Sequence, residues 1–325
     1  MGLFSRRPRE RGKRVFFATD IHGSEACFRK LLAAGDAYAV TDLILGGDIT
    51  GKMMVPVVDD GSGRFSCRYG DNVYTALDVE GKREVVGLIR RFGHYPIVGT
   101  REDLLELADP ATQAVTFRKL VFESVVNWVT LAEERLKGTG RRLFIAPGND
   151  DFLEIDSALE GSDSVVFAEN QCLALDDLHE MITTGYSNPT PWETERELPE
   201  DQLLARLNGM ARHVRDEGNL VAVIHPPPFD TPIDHAPQLD SEFNVHVQAG
   251  GMVMAPVGST AVRAFIEHVQ PLIGLHGHVH EGGGVARLGR TLCLNPGSEY
   301  TQGTLAGAIV ELGDGAVISY QFVTA

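Results

Sequence analysis

The sequence predicts an α/β protein built on a parallel sheet. Short apolar runs rich in β-branched and aromatic residues alternate with helical patterns along most of the chain. No repeat, low-complexity segment or obvious linker interrupts this alternation. We therefore expect a single domain over residues 15–325, preceded by a basic disordered tail at residues 1–14.

The first elements form a βαβ unit. Val15–Thr19 is a run typical of a buried strand, and Leu43–Leu45 is the next such run. Between them, Ser24 is suited to cap a helix over Glu25–Ala34. Two strands that are connected through a helix lie parallel in one sheet, which sets the sheet type.

Between about residues 52 and 99 the pattern changes, and we interpret this segment as an insertion. The runs MMVPVV and FSCRY flank the turn signal DDGSG and predict a hairpin, and a helix follows near Glu84–Arg91. Such a segment could cap a site or make a homo-oligomer contact, and the sequence does not choose between the two.

The remaining elements alternate again. A loop-rich stretch at 226–258 is too long for a plain connector and is predicted to be functional. We predict helices at 104–107, 117–136, 199–217 and 259–269, strands at 142–146, 165–167, 172–175, 181–184, 220–224 and 272–275, and four further short strands up to the C-terminus.

Composition narrows the class of partner and the compartment. The 45 acidic and 29 basic residues give a formal charge of −16, which opposes a nucleic-acid polymer or an anionic membrane as the main partner.

No apolar run approaches the roughly 18 residues of a membrane span. The apolar piece after Arg6-Arg7 is too short for an export signal. With four widely separated cysteines, which favour free thiols, these features predict a cytoplasmic protein.

Polar residues capable of binding metal follow five of the predicted strands. Each one alone is more often a helix cap, a turn residue or a structural histidine. The carboxyl ends of parallel strands, however, form the ligand crevice of α/β sheets, and glycines flank several of these positions. The residues are Asp20, His22, Asp48, Asn149, Asp150, His225, His278 and His280.

The residue types in this set favour a pair of divalent cations. Without Asp150 the set has seven side chains, namely the carboxylates of Asp20 and Asp48, one amide and four imidazoles, which are too many ligands for one ion. Mixed nitrogen and oxygen ligation without thiolate favours Mn²⁺, Fe, Zn²⁺, Co²⁺ or Ni²⁺, with Mn²⁺ as the first choice. Two such ions about 3.5–4 Å apart could hold both a nucleophile and a phosphoryl group during in-line displacement.

The stretch GGDITGKM at 46–53 has an alternative interpretation as a phosphate-binding loop. Gly46, Gly51 and Lys52 fit that pattern, but Met53 stands where the pattern needs a hydroxyl for Mg²⁺. A thioether does not bind a hard cation. The working residue of this stretch is therefore predicted to be Asp48.

The segments TDIHG, GGDITG, PGNDD, VIHPPP and HGHVH together resemble the motifs of the calcineurin-like metallophosphoesterases, in the order that this family uses. The match extends from residue 20 to residue 280, and NPGSEY at 295–300 is similar to a segment of small bacterial members. The resemblance implies a four-layer αββα sandwich with a dimetal site at its edge and the inserted hairpin and helix beside it. It also implies hydrolysis of a small phosphate ester by a metal-activated hydroxide.

The resemblance also implies a ligand set. One metal takes Asp20, His22 and His280, the second takes Asn149, His225 and His278, and Asp48 bridges them. Asp48, Asn149, Asp150 and His278 are the expected catalytic residues.

One position departs from the family pattern, because Asp150 stands where the motif usually has a histidine. Nearby metals are expected to lower the pKa of Asp150, and an ionised carboxylate cannot donate a proton to a leaving group. In the family that the chain resembles, the lack of that histidine tends to go with diester over monoester activity, so the resemblance implies a preference for phosphodiesters. The alternative is that Asp150 or Asp151 caps the following helix.

Several other polar residues have less specific interpretations. His276 is expected to pack inside, His235 and His246 to be solvated, Asn188 and Tyr186 to line the cleft, and Lys52 to be exposed or to bind phosphate.

Two other functions compete with the phosphoesterase. A protein-binding scaffold of this fold, like the metallophosphoesterase-fold subunit of the retromer complex, is disfavoured because all seven ligands are present. A nuclease of the same family is disfavoured by the acidic charge and by the lack of a basic stripe with interleaved aromatic residues.

Overall fold

The computed structural model describes residues 12–160, 162, 164–240, 242–248 and 250–325. The helices are α1 (Glu25–Ala37), α2 (Val79–Arg91), α3 (Arg101–Glu106), α4 (Pro110–Leu136), α5 (Asp156–Leu159), α6 (Glu200–Ala211) and α7 (Thr260–Val269). The strands are β1 (Lys13–Ala18), β2 (Asp42–Gly46), β3 (Met54–Asp59), β4 (Phe65–Tyr69), β5 (Asn72–Leu77), β6 (Tyr95–Thr100), β7 (Arg142–Ala146), β8 (Val165–Phe167), β9 (Gln171–Ala174), β10 (Glu180–Thr184), β11 (Leu220–Ile224), β12 (His235–Pro237), β13 (Val247–Gln248), β14 (Gly251–Met252), β15 (Met254–Pro256), β16 (Ile273–Leu275), β17 (Gly284–Leu288), β18 (Thr291–Asn295), β19 (Ala306–Gly313) and β20 (Ala316–Thr324).

Two six-stranded sheets form the centre of the molecule. Sheet I has the order β20-β19-β1-β2-β7-β8, and sheet II has the order β17-β18-β16-β11-β10-β9. Strands β1, β2, β7 and β8 are parallel, as are β18, β16, β11 and β10. The predicted parallel sheet is thus right for these strands and wrong for β9, β17, β19 and β20. Short turns join β9, β17 and β20 to their neighbours, and such turns allow only antiparallel pairing.

Alternate residues of each strand face different layers. In β1, Val15 and Phe17 pack into the core between the two sheets, whereas Phe16 faces α1 and α4. On the far side of sheet II, Ala222 and Ile224 of β11 pack against α6 and α7. The order of layers is therefore helix, sheet, sheet, helix, and the predicted four-layer αββα sandwich is confirmed.

The segment between β2 and α3 forms a small unit of its own. Its sheet has the order β5-β4-β3-β6, and α2 covers a minor core that includes Val57, Phe65 and Ile89. The predicted hairpin is confirmed as β3 and β4, but the helix begins earlier, at Val79, because Asp78 caps it. That this segment is an insertion into a single domain stays a prediction.

The N-terminal prediction needs a correction. Residues 1–11 of the predicted tail lie outside the described residues, but β1 begins at Lys13, inside the range predicted to be disordered. The backbone of Lys13 lies opposite Leu312 of β19, and its ammonium pairs with Asp42 of β2. These contacts extend the sheet by two residues.

Helix α6 is shorter than expected. It ends at Ala211 rather than near residue 217. Beyond it, the backbone N–H and guanidinium of Arg215 bind the Glu180 carboxylate at 2.7 and 2.8 Å, which holds the chain beside β10 instead of along the helix axis.

The long stretch 226–258 contains two small ribbons, β12 with β15 and β13 with β14. Although α4 has 27 residues, neither it nor another helix of the described chain is long and apolar enough to cross a membrane.

Candidate metal centre

All seven predicted ligands lie at one edge of the sandwich, where five parallel strands end. Loops after β1, β2 and β7 of sheet I carry Asp20, His22, Asp48 and Asn149, and loops after β11 and β16 of sheet II carry the other three histidines. The two sheets are tied together here, because the backbone N–H of His278 donates to both carboxylate oxygens of Asp20, at 3.1 and 3.2 Å.

One cluster consists of Asp20, His22 and His280. The Nε2 atoms of the two histidines lie 3.0 Å apart, and Nε2 of His280 lies 3.4 Å from Oδ1 of Asp20. Two ligand atoms at right angles around one cation, each about 2.1 Å from it, are separated by about 3.0 Å. The cluster therefore has the spacing of ligands that share an ion.

The second cluster consists of Asn149, His225 and His278. Nδ1 of His278 lies 2.8 Å from Oδ1 of Asn149. The amide nitrogen of Asn149 donates to the Thr194 hydroxyl at 3.2 Å, which turns the amide oxygen toward the histidine.

Asp48 lies between these clusters. Its Oδ1 is 3.3 Å from Nε2 of His225, and its Oδ2 is 3.7 Å from Nε2 of His22. Asp48 with His225 and His278 is one of three groups whose ligand atoms all lie within 4.8 Å of one another. One carboxylate oxygen thus faces each cluster, which is the arrangement that a bridging ligand needs.

His225 is held in the orientation that a metal ligand requires. Its Nδ1–H donates to the Gly46 carbonyl at 3.1 Å, which leaves Nε2 facing Asp48 and the other candidate ligands. Among the described residues, this buried Nε2 has no hydrogen-bond partner, although Asp48 is close. A backbone acceptor on one imidazole nitrogen and an unsatisfied nitrogen on the other is the usual pattern of a ligating histidine.

The pKa values of three candidate ligands fit the same role, and that of His225 does not. Burial acts to raise the pKa of Asp20, but the neighbouring imidazoles outweigh it and lower that pKa to about 2. Burial lowers the pKa of His22 to about 3 and, with the charge of His225, that of His278 to about 4. Burial also acts to lower the pKa of His225, but Asp48 outweighs it and raises that pKa to about 9. Asp20 is therefore ionised and His22 and His278 are neutral, which are the states that metal ligation requires, whereas His225 carries a proton near Asp48 that a bound cation would have to displace.

The site backbone is strained. Asp20, His22, Asp48 and His278 have φ values of 52°, 39°, 48° and 66°, in a region that residues other than glycine rarely adopt. Each such residue costs on the order of 1–3 kcal/mol and persists only where the surrounding structure holds it, as at functional sites. Four of the seven predicted ligands share this property, and no sequence pattern indicated it.

Asp151 has a role that the sequence analysis missed. Its buried carboxylate accepts from the backbone N–H groups of Ile49, Thr50 and Gly148 at 2.9, 2.8 and 2.7 Å, and from the Thr50 hydroxyl at 2.6 Å. The alternative that Asp150 or Asp151 caps the next helix is wrong, because the helical turn that follows has no side-chain cap. The signal for this role was the acidic residue that ends the third motif.

Asp150 is placed differently. Its backbone N–H donates to Oδ1 of Asp48 at 3.0 Å, and its carboxylate forms an ion pair with Lys52. Burial and the charge of Asp48 raise the pKa of Asp150 to about 7, although Lys52 acts to lower it. The expected lowering of this pKa would therefore have to come from bound cations.

Tyr300, from the NPGSEY segment, covers the first cluster. Its ring centroid lies 4.6 Å from that of His22 and 5.9 Å from that of His280. Ser298 of the same segment donates to the carbonyl of Asp20 at 2.6 Å. The similarity of this segment to small bacterial family members indicated no role for it.

The other polar candidates make contacts of their own. His276 is buried and its Nδ1–H donates to the Ile224 carbonyl at 2.8 Å, so it packs inside as predicted. Tyr186 stacks against Arg206, with the guanidinium 4.3 Å from the ring, and its place in the cleft stays a prediction. Asn188 donates to the Val257 carbonyl at 3.3 Å, while His235 and His246 make hydrogen bonds within the 226–258 stretch.

Taken together, the donor set fits two divalent cations. Three observations support this fit. They are the unsatisfied Nε2 of His225, the imidazole spacing in the first cluster and the central position of Asp48.

Comparisons with known proteins bear on the fold. No protein-family model matches the chain. The uncharacterized protein MJ1162 of Methanocaldococcus jannaschii is 26% identical over 152 residues, which are 46% of this chain and 61% of that protein. One crystal structure, 16% identical, covers 97% of this chain and 98% of its own with a TM-score of 0.56. The crystal structure of TT1561 of Thermus thermophilus is 11% identical, with the same coverage and a TM-score of 0.54. These similarities show the fold alone.

Proposed function

We propose that the protein is a dimetal phosphoesterase of the calcineurin-like type that hydrolyses a small phosphate ester, with phosphodiesters preferred over monoesters. The observation that supports this most is the position of Asp48, whose two oxygens face separate ligand clusters at 3.3 and 3.7 Å. Asp20, His22 and His280 would hold one cation, and Asn149, His225 and His278 the other.

Bound cations would supply Lewis acidity and would activate water near phosphorus. The protein's own residues set the conditions for this chemistry. His22 and His278 are neutral and add no positive charge of their own. The carboxylates of Asp20 and Asp48 would offset only part of the charge of two divalent cations, so the loaded site would keep a net positive charge toward a phosphate. Thr194 and the Gly46 carbonyl fix the orientation of Asn149 and His225 before substrate arrives.

The diester preference is supported by Asp150. A histidine at this position could donate a proton to a departing alkoxide, whereas the carboxylate of Asp150 is engaged with Lys52. Esters whose leaving group departs easily depend least on such a donor.

The experiment is a rate comparison on bis-p-nitrophenyl phosphate and p-nitrophenyl phosphate after reconstitution with Mn²⁺, Zn²⁺ or Fe²⁺. We expect turnover with a higher kcat/KM for the diester, and loss of at least about 100-fold in His225→Ala. The exposed His213 provides the matched control, and His213→Ala should keep full activity. A large monoester advantage would contradict the preference, and full turnover in Asp48→Ala would contradict the site.

A further inference from the structure

Lys52 and Asp150 form an ion pair at the edge of the candidate metal centre. The two residues follow β2 and β7, which are neighbouring parallel strands with Gly46 opposite Ala146. Asp150 is the position at which the chain departs from the histidine of the related motif. The pair therefore occupies the place of that histidine with two residues from separate loops.

The pair lies close to the ligands. A carboxylate oxygen of Asp150, one of Asp48 and a ring nitrogen of His22 all lie within 4.8 Å of one another. The ion pair with the Asp150 carboxylate places the Lys52 ammonium beside the first cluster.

The two side chains differ in exposure. The Asp150 side chain is 18% exposed, whereas that of Lys52 is 54% exposed. The ammonium has three donors, and its contact with Asp150 leaves donors for a further partner. An unpaired carboxylate at this position would repel an anionic substrate, and Lys52 offsets that charge.

Asp150 also limits the freedom of Lys52. A free lysine side chain carries about 2 kcal/mol of rotamer entropy, which a bound state must lose. The backbone of Asp150 is anchored to Asp48 at 3.0 Å, so that the carboxylate can hold the ammonium at a fixed place before a ligand binds.

We propose that the Lys52 ammonium binds the phosphate group of the substrate at this site, and that Asp150 is a positioning residue that holds the ammonium there. The proposal rests on the proposed function for the location of the substrate. In this arrangement Lys52 donates to a non-bridging phosphoryl oxygen, and Asp150 makes no contact with the substrate.

The first test measures binding of inorganic phosphate to Mn²⁺-loaded protein by isothermal titration calorimetry at fixed ionic strength. Lys52→Met should weaken binding by about 10- to 100-fold, as expected for the loss of a charge-assisted hydrogen bond. Lys52→Arg should recover most of the affinity. Lys119 of α4 is an exposed lysine paired with Glu123, and Lys119→Met is the matched control that should leave binding unchanged. Binding by Lys52→Met within twofold of the wild type would overturn the proposal.

The second test is a double-mutant cycle. Asp150→Asn should weaken phosphate binding in the wild-type background, whereas in the Lys52→Met background it should strengthen binding or leave it unchanged, because there it removes an unpaired carboxylate that repels phosphate. An equal effect of Asp150→Asn in both backgrounds would overturn the positioning role. Elemental analysis accompanies each variant, and a loss of bound Mn²⁺ in Lys52→Met that accounts for its weaker binding would overturn the assignment of Lys52.

The two proposals fail separately. If the wild type hydrolyses esters and Lys52→Met matches it in phosphate affinity and kcat/KM, only the role of Lys52 is wrong. If the loaded wild type hydrolyses no ester but binds phosphate through Lys52, only the proposed function is wrong. If it does neither, both are wrong.

Discussion

The space around Asp48 depends on residues that lack side chains. A Cβ atom at Gly148 would lie 2.1 Å from Oδ1 of Asp48, and one at Gly47 would lie 2.0 Å from Nδ1 of His225. Gly47 also has a φ of 122°, which side chains rarely allow. Close packing of backbone against ligands therefore keeps the two clusters within reach of one carboxylate.

Gly148→Ala should displace the Asp48 carboxylate, because the added methyl group overlaps one of its oxygens. We expect loss of Mn²⁺ binding and a drop in activity of at least about 100-fold, which elemental analysis and the diester assay measure. Gly209 in α6 has nothing within 4 Å of an added Cβ, and Gly209→Ala is the control that should leave both unchanged. Normal metal content in Gly148→Ala would contradict this prediction, because it would show that the loop can move to accommodate the methyl group without displacing Asp48.

At the scale of elements, Asp151 joins the loop after β2 to the loop after β7. Three hydrogen bonds from Ile49 and Thr50 to its buried carboxylate make this connection, and a fourth, from Gly148, lies within the loop of Asp151 itself. Arg196 is fully buried and holds the next turn, since it donates to the carbonyls of Asp151 and Phe152 at 2.9 Å. The loops that carry Asp48 and Asn149 are thus fixed to each other independently of any ligand.

Asp151→Asn should lower the free energy of unfolding by about 3 kcal/mol, because an amide has fewer acceptor sites and turns its NH₂ against backbone donors. Urea denaturation of the metal-free protein measures this. Asp36 pairs with Arg141 but its side chain is 82% exposed, and Asp36→Asn is expected to stay within about 0.5 kcal/mol of the wild type. A similarly small change in the free energy of unfolding for Asp151→Asn would contradict the proposal that Asp151 holds the two loops together.

At the scale of the whole molecule, the first cluster joins the two sheets. Asp20 and His22 follow β1 of sheet I, whereas His280 follows β16 of sheet II. A cation held by all three would connect the halves of the sandwich, so that its binding free energy would add to the stability of the complete fold.

Mn²⁺ should therefore raise the melting temperature. At a free concentration about 100 times its Kd, the stabilisation is expected to be about 2.7 kcal/mol. Thermal unfolding with EDTA and with increasing Mn²⁺ measures it, and His280→Ala should show a smaller increase than the wild type. Identical melting curves with EDTA and with saturating Mn²⁺ would exclude a cation that bridges the sheets.

Much of this protein could be predicted from its sequence. The βαβ start, most strand positions and the seven side chains at strand ends follow from local patterns, because the carboxyl ends of parallel strands meet at one edge. The limits of elements were less predictable. The strand extension at Lys13 and the early end of α6 depend on contacts with Asp42 and Glu180, which are distant in sequence.

Only the tertiary structure decided how the site residues relate to one another. Three features arise where separate loops pack together. They are the left-handed backbone at Asp20 and Asp48, the hydrogen bonds of the Asp151 carboxylate and the pairing of Lys52 with Asp150. Local sequence determines which strand a residue follows, whereas the distance and direction of its side chain depend on neighbours from other strands. The local sequence thus determines which candidate ligands follow each strand, whereas the distances between them are determined by the packing of the folded sandwich.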